Sequence, residues 1–347
     1  MIRSTQEFVA TAGLTLSMIA SASPSCPSDT DGSGHIDFGD VALSLLDFGP
    51  CAGCQSDIDG NSSVDFGDIA LILIDFGPCP SWYTTLETKP DPAIVYDANL
   101  RTAIEAAGLP WRVRDNRTGI EMLLIPPGSF SMGCSPSIQS PCWSKEHQGP
   151  QVLLTRAFYM GRFEVTQAEW QSVMGSNPSF CVARNGFPGS DNRPVEWVSW
   201  DDITGFRAAT GLRLPTEAEW EYAYRAGTRT AFHGWRAMPT GSDDDSLVSE
   251  IAWMSLLSGT QVVGQKAANG FGLHDMAGNV FEWVNDFFGY YLPLNLTDPS
   301  GPSSGTAHVV RGGRWFEGSG SCRSSWRDDR PSNRRNEGIG FRVVRDP

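Results

Sequence analysis

The sequence predicts an α+β protein in which a small α-helical module precedes one large, loop-rich domain. Three observations carry that prediction. Residues 26–80 hold a tandem 28-residue repeat, each copy with one short apolar helix. Downstream, three short helix signatures stand between long Gly/Pro/Asn-rich stretches. A Trp series (Trp170, Trp197, Trp200, Trp220, Trp253, Trp283, Trp315 and Trp326) supplies anchors for a core with little regular structure. At 347 residues the chain suffices for two domains, and 40% hydrophobic with 19% charged residues excludes a disordered chain or a coiled coil.

At the N-terminus, Arg3, an apolar stretch from Phe8 to Ile19 and Ala20-Ser21-Ala22 read as a secretory signal peptide over 1–22. The expected location is secreted or cell-surface. Eight Cys agree, because oxidising compartments permit disulfides. Cys134 and Cys142 are expected to close a short loop, while Cys181 and Cys322 either pair or stay free. No apolar run reaches the roughly 18 residues that span a bilayer. A net charge of −14 excludes a nucleic-acid binder, which needs a basic face.

Ten Asp and no Lys or Arg fall within 26–80. Such a segment repels itself unless cations neutralise it. The two units read CPSDTDGSGHIDFGDVALSLLDFGPC and CQSDIDGNSSVDFGDIALILIDFGPC. The first offers Asp29, Asp31, Ser33, the His35 carbonyl, Asp37 and Asp40. The second offers Asp57, Asp59, Asn61, the Ser63 carbonyl, Asp65 and Asp68. These are positions 1, 3, 5, 7, 9 and 12 of an EF-hand-type calcium loop, with Asp in place of Glu at the last. Ser62 stands where Gly34 eases the turn in the first loop, so the second is expected to bind more weakly. A helix over Val41–Leu46 or Ile69–Ile74 follows each loop. The four cysteines Cys26, Cys51, Cys54 and Cys79 allow three connectivities. Nothing around Cys51-Ala52-Gly53-Cys54 favours a redox or zinc motif. The loop–helix duplication resembles a type I dockerin module. That resemblance implies a cohesin-like partner, with a small structural appendage as the alternative.

Residues 81–96, with Thr84, Thr85, Pro90 and Pro92, read as a linker, and the large domain is expected over 97–347. Asp97 can cap a helix carrying Leu100 and Ile104 that stops at Gly108. Alternating apolar residues from Trp111, and again over Met122–Ile125, predict strands. Thr166 with Glu169, Ser199 with Asp202 and Thr216 with Glu219 have capping-box spacing, and Gly175, Gly211 and Gly227 supply stops.

The segments MLLIPPGSFSMG, EVTQAEW, RPVEWVSWDD, GLRLPTEAEWEYAYRAG, NGFGLHDMAGNVFEWVND, VVRGGRW and GIGFRVV follow in order between residues 122 and 344. Together they resemble the formylglycine-generating (sulfatase-modifying factor) domain family, over about residues 111–347. The resemblance implies a single loop-rich fold related to C-type lectin domains. It also implies a calcium site made by the Asp275 side chain, the Gly278 and Val280 carbonyls and the Glu282 side chain, a suitable oxygen set. The family's enzymes oxidise a sulfatase cysteine to formylglycine with oxygen and a copper(I) ion held by two thiolates. Here the matching positions are Glu317 and Cys322, and the active-site serine is Arg314. Copper(I) selects soft sulfur, so a carboxylate is a poor substitute. The sequence therefore predicts a secreted, calcium-binding protein whose second domain binds a peptide or glycan ligand without oxidase chemistry. The formylglycine-generating oxidase is the alternative. Cys322 then becomes structural, with Cys181, the other cysteine left over, as its candidate partner. Nine Arg in the last 37 residues either pair with acids such as Asp328, Asp329 and Glu337 or line a cationic recess. No Walker loop, nucleophile elbow or zinc spacing occurs, and the five His nominate no triad.

Overall fold

The computed structural model describes residues 28–30, 35–51, 54–74, 77–78, 81–134, 142, 146, 148–291 and 294–347. The expected signal peptide, Cys26, Asp31, Ser33 and Cys79 lie outside them. The chain divides between Trp82 and Tyr83 into two compact units.

In the first unit, helix α1 (Phe38–Leu46) and helix α2 (Phe66–Ile74) each follow an acidic loop. Both begin three residues before the apolar run because the loop's own Asp residues cap them. Asp37 accepts from the Gly39 N–H at 2.6 Å while Asp40 accepts from the Asp37 N–H at 2.8 Å. Asp65 and Asp68 repeat the arrangement at 2.6 and 2.8 Å. Two antiparallel pairs stitch the copies together, His35–Ile36 with Gly77–Pro78 and Gly49–Pro50 with Ser63–Val64. Ile36 and Ile72 are buried against Val41 and Ile58. Cys51 and Cys54 form a disulfide, one of the pairings open in the sequence.

The second unit starts inside the expected linker. Tyr83–Glu87 is the edge strand of a five-stranded sheet ordered Val344–Arg345, Phe158–Gly161, Glu121–Ile125, Arg112–Asp115, Tyr83–Glu87. Val95 is buried, so 83–96 belongs to the folded domain. Its polar residues suit an edge strand, which is bonded on one side only. A mixed four-stranded sheet places Phe281–Phe287 between His308–Arg311 and Ile339–Phe341, with Asp328–Arg330 outermost. Helix α3 (Ala98–Ala106) is capped by Asp97. Helices α4 (Gln167–Met174), α5 (Trp200–Thr210) and α6 (Glu217–Arg225) all show the expected reciprocal capping boxes. Gly175 and Gly211 end α4 and α5 in the left-handed region, but α6 is stopped one residue earlier than expected, by Ala226 at φ 45°. Trp170, Trp220 and Trp283 are core residues, whereas Trp197 is exposed.

The core carries charge as well as apolar bulk. Arg311, Arg323 and Arg342 are fully buried. Arg311 bonds Glu221, which also meets Arg225 at 2.8 Å and accepts from the Gly133 N–H at 2.8 Å. Arg327 grips Glu217 through two bonds of 2.8 and 2.5 Å. Arg323 reaches Glu146 at 2.8 Å. Eight of the nine C-terminal arginines are thus in ion pairs, Arg334 being the exception among the described residues. Their partners come mostly from distant segments; of the acids expected, Asp328 pairs, with Arg330 at 2.7 Å.

Removing one member of a buried ion pair strands the other in a dry interior, a loss of about 3–5 kcal/mol. Glu221→Ala should lower unfolding stability by that amount in urea titrations. Arg335→Ala, which breaks an exposed pair with Asp202, should change stability by about 1 kcal/mol or less. Equal effects of the two substitutions would contradict the account of the core.

Candidate functional site

The segment after Gly312-Gly313 is the first place to look for chemistry. Gly313 has φ 81°, and a Cβ there would lie 2.9 Å from the Cys322 Sγ. Only glycine lets the two strands of this turn approach so closely. Arg314 then folds back onto Glu317, its Nε donating to Oε1 at 2.8 Å and its Nη2 lying 2.6 Å from the same oxygen. The guanidinium also lies over the Phe316 ring at 4.1 Å. Cys322 is fully buried and free. Burial pushes its thiol up to about 12, and the Glu317 charge adds to the effect. A thiol so held carries essentially no thiolate at neutral pH. Cys181 is also buried and free, with its N–H donating to Glu196 at 2.6 Å. Of the two outcomes open for Cys181 and Cys322, the disulfide is not formed and both stay free, each buried. Cys134 and Cys142 are bonded as expected.

The residues from Asp275 to Glu282 gather around Arg342. Asp275, Gly278 and Asn279 all have positive φ (55°, 78° and 58°), which turns this short stretch tightly. The Asp275 Oδ2 accepts from the Gly264 N–H at 2.6 Å, while its Oδ1 is buried with no hydrogen-bond partner. Glu282 accepts from the Arg342 Nε and Nη2 at 2.8 Å and from the Trp220 Nε1 at 2.7 Å. Glu164, absent from the sequence-based ligand set, completes the group. Its carboxylate accepts from the Asn279 Nδ2 at 2.7 Å and from the Val280 N–H at 3.2 Å. Three buried acids thus share one guanidinium. Burial pushes Asp275 up to about 6. Burial raises Glu164 well above its ordinary range, with the charges of Asp275 and Glu282 adding to it. The fit to a calcium ion is uneven: Asp275 presents an open oxygen, whereas Glu282 has its acceptor sites filled by Arg342 and Trp220.

The acidic loops differ in kind. Asp57, Asp59 and Asp68 each offer an oxygen within 4.8 Å of the others. Among the described residues this is the one group of three or more such side chains so placed. The Asp57 Oδ1 is buried without a partner. Burial alone would raise Asp68, but the N–H groups of Asp65, Asp59 and Ile58 hold its carboxyl below the ordinary range. The Asn61 Oδ1 accepts from the Ser63 N–H at 2.9 Å, and its Nδ2 donates to the Asp59 Oδ2 at 3.0 Å. Ser62 sits at φ 69°, the left-handed conformation that glycine adopts without strain. In the first loop, Asp29 and Asp40 are buried, and Asp40 accepts from the Thr30 N–H at 2.6 Å.

Comparison with known proteins bears on the large domain. The profile of the sulfatase-modifying factor enzyme 1-like domain matches residues 110–347. A formylglycine-generating enzyme of Streptomyces coelicolor is 34% identical over 198 residues, covering 52% of this chain and 60% of that protein. The formylglycine-generating enzyme of Bos taurus is 30% identical over 288 residues, covering 65% and 75%. The serine/threonine-protein kinase pkn1 of Chlamydia caviae is 35% identical over 162 residues, 46% of this chain but 25% of the kinase. The match thus spans less than two thirds of the length of the Streptomyces enzyme and of the kinase. Among solved structures, Treponema denticola variable protein 1 superposes with a TM-score of 0.57 at 27% identity, covering 66% of this chain and 95% of that one. PvdO from Pseudomonas aeruginosa gives 0.55 at 25% identity, covering 68% and 98%. By a match over more than half its length, the chain belongs to the sulfatase-modifying factor enzyme 1-like domain family.

Proposed function

We propose that this chain is an extracytoplasmic, calcium-binding protein whose large domain uses the family scaffold to bind a ligand rather than to oxidise cysteine. The Arg314–Glu317 ion pair carries the reading. It fills, with a cation and a hard oxygen donor, the positions that resemblance assigns to the serine and one copper thiolate. The remaining sulfur, Cys322, is enclosed and held as the thiol. Copper(I) favours paired thiolates, and a fixed guanidinium beside the position repels a cation. Arg314 stacked on Phe316 gives that face an aromatic and cationic surface suited to a peptide or glycan. The disulfides Cys51–Cys54 and Cys134–Cys142 suit an oxidising compartment. Among the described residues no helix is long and apolar enough to cross a membrane.

The first unit is proposed as the calcium-dependent docking module. The unpartnered Asp57 Oδ1 within the Asp57–Asp59–Asp68 group supports a bound cation. Its outer face supports docking to a cohesin-like protein. Phe38 and Phe66, 28 residues apart, are 74% and 75% exposed, and Leu45 and Leu73 are 52% and 50% exposed. Duplicated apolar exposure on a small module is costly unless another protein covers it. A calcium ion at Asp275, with the Gly278 and Val280 carbonyls, belongs to the proposal as well; Glu282 would join only by exchanging a bond from Arg342.

Calcium titration of the full chain by calorimetry should show sites that Asp29→Ala and Asp57→Ala each reduce, with the larger loss for Asp29→Ala. At a hundredfold excess over Kd, calcium should add about 2.7 kcal/mol to the unit's stability. Ser62→Gly should stabilise the second loop by about 1 kcal/mol through relief of the left-handed strain. Unchanged binding in both Asp variants would remove the metal from the proposal.

Supplied with copper and oxygen, the purified protein should leave the cysteine of a sulfatase-motif peptide unconverted, as read by mass spectrometry. Glu317→Cys combined with Arg314→Ser should raise copper(I) affinity at least tenfold. Formylglycine product that disappears in Cys322→Ser would establish the oxidase instead.

A further inference from the structure

A second recess in the large domain has no part in that reading. It is a cavity of about 470 Å³ beside the start of α6, bordered by Gly289, Tyr291, Leu296 and Pro299 to Pro302. Its walls are apolar, with Met132, Phe287, Tyr291, Leu296, Pro299 and Pro302 among them. Three charged side chains reach its floor: Glu217, Asp286 and Arg327. Two of them are already spent on each other. Arg327 donates to both Glu217 oxygens, gives its remaining Nη1 to the Gly289 carbonyl at 2.6 Å, and lies over the Tyr291 ring at 4.1 Å. Glu217 further accepts from the Tyr291 hydroxyl at 3.2 Å.

Asp286 is different. It is buried, and its Oδ2 accepts from the Glu217 N–H at 2.9 Å. No hydrogen bond reaches its Oδ1 from the described residues, and no cation is paired with it. Gly301, at φ 73°, packs so near that a Cβ there would lie 2.9 Å from this oxygen. A buried carboxylate without a counter-ion is costly, and here it borders a space of ligand size.

We propose that this cavity binds a small protonated amine on an apolar or aromatic body, with the Asp286 carboxylate as its counter-ion. The aromatic walls suit both the body and the charge, since ring faces attract cations. An anion would meet the Glu217 charge, with Arg327 already committed to that carboxylate.

The neighbours of Asp286 fix the pH dependence. Burial pushes its carboxyl up to about 8, and the charges of Glu217 and then Glu219 on α6 add to this, while Arg327 opposes them. Arg311 lies 3.5 Å from Glu217 and bears on it through that residue. His308 donates from Nδ1 to the Asp286 carbonyl, and burial pushes its imidazole down, so it stays neutral above pH 6.5. Below about pH 8 the acid therefore predominates, and an arriving ammonium displaces its proton: the O–H bond breaks, the proton leaves to solvent and the N–H···O⁻ pair forms. Affinity should rise about tenfold per pH unit up to pH 8 and then level off, by proton linkage.

The test uses 2-phenylethylamine as the probe and 2-phenylethanol as its uncharged counterpart, titrated calorimetrically into the full chain. The amine should bind about tenfold more tightly at pH 7.5 than at pH 6.5, and at least tenfold more tightly than the alcohol at pH 8. Asp286→Asn preserves an acceptor for the Glu217 N–H and should abolish both the preference and the pH slope. No saturable amine binding up to 10 mM (roughly the weakest affinity a ligand site of use would show), an affinity that falls with rising pH, equal binding of the alcohol, or an unchanged Asp286→Asn variant would each overturn the proposal.

Discussion

Burying carboxylates is the constraint on which the large domain depends. Its strands are short, its connections are long, and α6 must be held against segments that arrive a hundred residues later. Glu217 and Glu221, one turn apart on α6, meet Arg327, Arg311 and Arg225. Through those contacts one helix fixes the course of the C-terminal chain. Buried pairs of this kind contribute modestly to net stability, because desolvation offsets most of their attraction. Their directional bonds nonetheless penalise any arrangement that leaves one partner alone. A scaffold poor in sheet and helix gains its specificity there.

Ion pairing also governs the chemistry of the turn after Gly313, where Arg314 meets the half-buried Glu317. A close glycine approach positions residues 314, 317 and 322 around one small volume, and what those residues are decides what the volume can do. With two thiolates it suits a soft metal; with Arg314 and Glu317 it closes on itself as an ion pair. A shared fold fixes where side chains are placed and leaves their reactivity open. Family membership and a non-oxidase reading are therefore compatible, and the distinction rests on residues 314 and 317.

Local features were legible in the sequence, and long-range ones were not. The capping boxes at Thr166, Ser199 and Thr216 depend on residues three apart, and all three formed as read. The stop of α6 was displaced to Ala226 because Tyr222 O, the carbonyl to be capped, is met one residue before Gly227. Tyr83–Glu87 was hidden because an edge strand needs few apolar residues, and its pairing with Arg112–Asp115 is set by the rest of the sheet. Arg342 with Glu282, and Arg327 with Glu217, pair across 60 and 110 residues. Composition shows that such arginines exist and gives no sign of which acid each will meet. Glu164 and Asp286 were missed for the same reason. Each sits inside a recognised motif, EVTQAEW or EWVND, yet its importance comes from burial that only the tertiary structure reveals.

The two units answer one electrostatic problem in two ways. In residues 26–80 ten Asp have no Lys or Arg among them, so any neutralising cation must come from outside the segment. In the large domain the cation is covalently part of the chain: Arg342 stands among Glu164, Asp275 and Glu282 as a guanidinium that no chelator can remove. One arginine cannot balance three carboxylates, and the residue of that imbalance is visible in the raised Glu164 and Asp275 and in the unpartnered Asp275 Oδ1. The site is thus intermediate between the two solutions. Protonation of Glu164 or Asp275 relieves the imbalance, and that is the direction in which burial moves both carboxyls.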